Sequence, residues 1–146
     1  MPVRNELKQY TSTDENNFLR GLATEFEFKD LNLSLFFSYK KTDATVKMSD
    51  DSSGFYISSL YKAGIHNTAS LMKKKDTVSE MLTGINITYD FGKMRAGVLW
   101  SLNKFSIPYY ADKKDPENIF KMHGSENQIF SFYYNRMFGK LLVFGE

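Results

Sequence analysis

The chain carries few residues able to do covalent chemistry. It has 146 residues, two histidines (His66 and His123) and no cysteine. A catalytic imidazole needs a nucleophile on one side and an orienting acid on the other. No Gly-x-Ser-x-Gly or comparable setting surrounds either histidine, so both read as loop residues. Lack of cysteine excludes a disulfide framework and any cysteine-based zinc or redox centre. Asp50-Asp51-Ser52-Ser53-Gly54 is rich in oxygen donors but lacks the spacing of a calcium-binding EF-hand, and reads as a turn. The expectation is a non-enzymatic chain with no catalytic, cofactor or metal residues.

The remaining candidates are charges. Asp90 and Arg95 flank a short turn and form a possible cross-strand pair, either lining a lumen or stapling a hairpin end. Lys73, Lys74 and Lys75 form a cationic run that normally marks a solvated face. Together with Arg20 and Lys41, they could contact the phosphates of lipopolysaccharide. A net charge of +2 decides nothing about nucleic acid. No P-loop, dinucleotide fingerprint or helix-hairpin-helix is present, and no nucleic-acid partner is expected.

These residues must be positioned by strands. Alternating segments occupy about 18–28, 31–41, 82–91, 94–103, 128–137 and 141–146. Lys29-Asp30 alone separates the first pair and Gly92-Lys93 the second. Phe138-Gly139-Lys140 separates the last pair and leaves its register open, since a one-residue slip exchanges the faces. The other two connections, 42–81 and 104–127, are long. Short turns on one side and long loops on the other is the layout of an outer-membrane β-barrel, with the short turns periplasmic.

Side chains alternate with period two along a strand. Leu31, Leu33, Leu35, Phe37 and Tyr39 therefore share one face. A two-residue turn sets Phe28 opposite Leu31, Phe26 opposite Leu33 and Leu22 opposite Phe37, so the two apolar faces coincide. Ile85, Ile87, Tyr89 and Phe91 match Met94, Ala96, Val98 and Trp100 in the same way. The opposite face carries Gly, Ser, Asn and Thr with charges of both signs, including Asp90 opposite Arg95. Phe28, Phe91 and Tyr39 stand near strand ends, as in an interfacial girdle, while Trp100 stands nearer mid-strand. The triplets Asn32-Leu33-Ser34 and Asn86-Ile87-Thr88 match a glycosylation pattern by chance, inside strands.

The expected class is all-β: an antiparallel meander of about six strands, one partial unit over 1–146 that forms part of a transmembrane barrel. The alternative is a soluble β-sandwich or calyx that binds a lipid or other hydrophobic ligand. Six strands fall short of the eight in the smallest single-chain barrels. No apolar h-region follows Met1-Pro2-Val3-Arg4, so a piece of a longer precursor is expected. Within the long loop, residues 54–60 suit an extra short strand and 73–81 a helical turn or two.

Specific stretches carry a resemblance. Residues 10–21 (Tyr10 to Gly21), Phe37-Ser38-Tyr39-Lys40-Lys41-Thr42-Asp43-Ala44, and residues 58–68 with Lys75, Glu80 and Gly84 are its main carriers. They resemble mid-barrel segments of large Bacteroidota outer-membrane proteins labelled helix-hairpin-helix or ComEA-like. Phe144-Gly145-Glu146 resembles the start of a further strand. The resemblance implies an outer-membrane location and a role in envelope transport, secretion or surface structure. The partners it implies are membrane lipid, lipopolysaccharide and the remaining barrel strands of a longer chain. Asn67 departs from the basic residue usual after the loop histidine, and the helix-hairpin-helix part is absent, so DNA binding is not implied.

Overall fold

The computed structural model describes residues 19–49, 54–61, 64–110 and 122–146. Strands make up most of them and build one curled, mixed sheet with the outline of a half-barrel. In chain order the elements are β1 (Gly21–Phe28), β2 (Leu31–Thr42), β3 (Ala44–Met48), β4 (Phe55–Leu60), the helical turn α1 (Ala69–Met72), β5 (Val78–Asp90), β6 (Met94–Tyr109), β7 (Gly124–Phe138) and β8 (Leu141–Gly145).

Six of these strands stand side by side as β1-β2-β5-β6-β7-β8, each antiparallel to its neighbours. The sheet is nevertheless not the expected six-stranded meander. Two further strands, β3 and β4, form a hairpin that rises from the β2–β5 connection. β4 joins β6 in parallel, through the single bridge Ile57 to Tyr109. Strand length explains the difference. β6 runs on to Tyr109, past its last pairing with β5 at Phe105–Glu80, and β4 takes up the ladder there. Residues 54–60, suited by sequence to an extra strand, contain β4.

Other boundaries also move. β5 starts at Val78 rather than Leu82, β6 extends beyond Asn103, and β7 begins at Gly124. Phe18, the expected first residue of the first strand, lies outside the described residues, as do residues 50–53 of the acidic turn. The helical turn forms earlier than expected. Thr68 caps α1, its hydroxyl accepting the Leu71 N–H at 3.3 Å. Asp76 then adopts a left-handed φ of 53°, which ends any helix, and the β-branched Thr77 and Val78 lead into β5.

The three short turns lie at one end. Asp90 N–H donates to the Asp30 carbonyl at 2.7 Å and Met137 N–H to the Lys93 carbonyl at 2.9 Å, linking neighbouring turns. Gly92 and Gly139 take φ values of 81° and 59°, which tight hairpin turns require and which glycine adopts without steric cost. The last hairpin closes on Gly139-Lys140 with Phe138 opposite Leu141.

Burial splits the molecule in two along its height. At the long-loop end, Ala44, Ile57, Val78 and Phe105 form a small conventional core, flanked by Val46, Leu60 and Ile107. Burying Ile57, Val78 and Phe105 contributes roughly 1.5–3 kcal/mol each. Along the wall below, the order is reversed. Asn32, Ser34, Ser38, Thr88 and Ser101 are buried, while Leu22, Phe26, Phe37, Phe130 and Phe132 are exposed.

Candidate functional site

The wall's two faces follow from strand registers. Leu33, Ile87, Val98 and Phe132 lie in one transverse row, and Leu35, Ile85, Trp100 and Phe130 in the next. This apolar face also stacks rings along single strands, with Tyr89 4.6 Å from Phe91 and Phe132 6.4 Å from Tyr134. The nine residues Leu31 to Tyr39 reach roughly 27 Å along the strand at about 3.3 Å per residue. At the tilt of about 40° usual in barrels that length covers about 20 Å of height, most of the ~25 Å apolar band of an outer-membrane barrel. The rows end in polar residues, with Lys41 opposite Ser79 and Lys104 opposite Glu126.

The other face is concave, because side chains two strands apart meet on it. Tyr133 of β7 reaches over Gly97 of β6 to Asn86 and Thr88 of β5, donating to Asn86 Oδ1 at 2.9 Å and lying 2.7 Å from Thr88 Oγ1. Phe36 likewise lies over Gly84, its register partner. A ring over a strand glycine covers backbone that a Cβ would otherwise shield, and lets the sheet curl. Glu80 gathers the upper part of this face. It accepts from Thr42 at 3.0 Å and Asn103 at 3.1 Å, with Lys40 Nζ 3.5 Å away. Asn32, from one of the chance glycosylation triplets, donates to Glu25.

Gly84 supplies a test of this packing. A Cβ there would run into the Phe36 ring and come within 2.7 Å of the Trp100 carbonyl oxygen. Gly84→Ala is expected to cost about 1–3 kcal/mol, read as a lower thermal midpoint. Trimming the ring as well, in Gly84→Ala with Phe36→Leu, should recover part of that loss.

The predicted charge pair is positioned but not joined. Asp90 and Arg95 are opposite in register on the concave face, yet Asp90 Oδ1 instead accepts the Gly92 N–H at 2.8 Å, capping the turn. Among the described residues no ion pair forms between them, and Arg95 Nε is buried without a hydrogen-bond partner. The lysine run divides. Lys74 lies over the Tyr61 ring at 5.7 Å and its carbonyl accepts the Ala44 N–H, while Lys73 and Lys75 are exposed. Arg20 stands opposite Tyr39, whose N–H it accepts at 2.9 Å, and Lys41 is exposed on the apolar face's upper border.

One cluster is invisible in the spacing. Asp43, buried between β2 and β3, places Oδ2 2.7 Å from His66 Nε2 and accepts the Asp76 N–H on Oδ1 at 2.8 Å. Thr77 Oγ1 donates to the Ala44 carbonyl at 3.0 Å beside it. The only hint in the sequence is an acid interrupting a strand that otherwise continues. The His66 imidazole is thus held against the Asp43 carboxylate. His123 lies beside the Tyr110 ring, with ring centroids 6.5 Å apart.

Comparisons with protein-family models, with curated proteins and with solved structures find no match. Among the described residues no helix is long and apolar enough to cross a membrane, which says nothing about crossing by strands.

Proposed function

We propose that this chain is a wall segment of an outer-membrane β-barrel, with its apolar convex face toward lipid and its polar concave face toward a lumen. Further strands of a longer chain complete the ring. Its role is non-enzymatic, in envelope transport, secretion or surface structure. The reversed burial carries this reading: Ser34 and Thr88 are 2% and 1% exposed, whereas Leu22 and Phe130 are 82% and 73% exposed. A water-soluble fold with these faces would hold its aromatic side inward. The exposed apolar residues share this one face across β1, β2, β5, β6 and β7, the kind of patch that marks an interaction surface. A soluble calyx for a hydrophobic ligand needs an apolar interior, whereas the side chains buried on the concave side of β2, β5 and β6 are Asn32, Ser34, Ser38, Thr88 and Ser101.

Trp100 is the single tryptophan and sits on the convex face. In chain refolded into lipid vesicles, its emission is expected to shift to the blue and to be quenched by lipids brominated in mid-chain. Emission unchanged from buffer, with no quenching, would refute the membrane reading.

A further inference from the structure

The convex face changes character over one residue step at the long-loop end. Below the step lie Leu35, Phe37, Trp100 and Leu102. At and above the step lie Arg20 at the entry to β1, Lys104 on β6 in the same transverse row through Tyr39 and Met81, and Lys41 on β2 one outward-facing position higher, opposite Ser79, whose N–H donates to the Ser106 hydroxyl. Lys41 and Lys104 are two strands apart and offset by two residues along them, so strand spacing of about 4.8 Å and a rise of about 3.3 Å per residue place them roughly 12 Å from each other. Among the described residues the one acid in these two rows is Glu126, which pairs with Lys104. Lys41 is exposed and makes no ion pair among the described residues. The neighbouring Lys40 points the other way, to Glu80 on the concave side.

An apolar band bordered by Tyr39 and a staggered belt of cations matches one surface by chemistry: acyl chains, an interfacial zone, and a layer of phosphates. We infer that the belt around Lys41 is a binding strip for the phosphate groups of anionic lipids in the leaflet at the long-loop end. The inference rests on the membrane reading and names the lipid class that this border selects. Long cationic side chains at such a border bury their stems against apolar surface and deliver the charge to the headgroup level. Lys73 and Lys75, on the turn anchored to the start of β3, extend the positive field above the strip.

The test compares partitioning of the full chain into vesicles of phosphatidylcholine alone and of phosphatidylcholine with phosphatidylglycerol, at low and high salt, with Trp100 emission as the readout. Wild type is expected to favour the anionic vesicles at low salt. Each cation near an anionic surface is worth about 1 kcal/mol, so Lys41→Gln is expected to lower that partitioning about fivefold at low salt. Partitioning into neutral vesicles should not change. Lys40→Gln, one residue away on the concave face, should leave the preference intact. Equal wild-type partitioning into both vesicles, or equal losses from Lys40→Gln and Lys41→Gln, would overturn the strip. Failure of Trp100 to respond to either vesicle would instead refute the membrane reading beneath it.

Discussion

Ile87→Arg is expected to cost roughly 2–4 kcal/mol of insertion free energy, a loss of about thirty- to seven-hundredfold in the folded, lipid-inserted population. Ile87 lies on the convex face between Leu33 and Val98, near mid-height of the apolar band, and is 42% exposed. In water, replacing so exposed a side chain normally changes stability by less than about 0.5 kcal/mol. The environment therefore decides the size of the effect. The control is Ser131→Arg, at similar height on the concave face. Ser131 donates to Glu146 at 2.6 Å, so a guanidinium there meets a carboxylate in a polar setting. The measurement is the fraction protected from protease in vesicles after refolding. A severe loss for Ile87→Arg with a mild one for Ser131→Arg is expected. Equal tolerance of both would mean that the convex face does not meet lipid.

Asp43→Ala is expected to release the β3–β4 hairpin from the wall. The Asp43 side chain is 3% exposed and engages both His66 and the Asp76 backbone N–H, so it ties β2, the loop before α1 and the turn before β5 to one point. Breaking a buried pair by removing one partner typically costs about 3–5 kcal/mol, because the groups left behind have lost solvent and partner alike. The loss should be local, since the wall's ladders do not pass through Asp43. Hydrogen exchange should rise at Ala44, Tyr61 and Asp76, which donate within this junction, and stay low at Ile85–Thr88 in mid-wall. Uniform acceleration across β5 and β6 would show that the hairpin and wall unfold as one unit. Unchanged exchange at Ala44 and Asp76 would show that Asp43 holds nothing.

The wall was legible in the sequence because its signals are local. Period-two alternation and two-residue turns fix faces and registers within one hairpin, and β1–β2 has Phe28 opposite Leu31 as turn length dictates. The last hairpin was not legible, since Phe138-Gly139-Lys140 offers two closures and only the ladder to β7 selects Gly139-Lys140. β3 and β4 were harder still. Val46 and Ile57 read like any apolar residues, and their partners Val78 and Phe105 are distant in sequence. Asp43 and His66 lie 23 residues apart with no spacing rule to connect them. Asp90 and Arg95 teach the complementary lesson. Register placed them opposite one another, but the nearer Gly92 N–H captured the carboxylate. A local hydrogen bond closes at little entropic cost, whereas a long arginine side chain must be ordered to compete.

The directions of the two outermost wall strands carry an arithmetic consequence. β1 descends from the long-loop end to the short-turn end, and β8 ascends. If a ring closes with every neighbour antiparallel, the strand beside β8 must descend and the strand beside β1 must ascend. Whatever fills the gap therefore contributes an even number of strands, and two would already reach the smallest known ring. An added set must also keep outward residues in step with Leu22 on one side and Val143 on the other. Parity of strand count and parity of side-chain facing are thus both set by these two edges, before any partner sequence is considered.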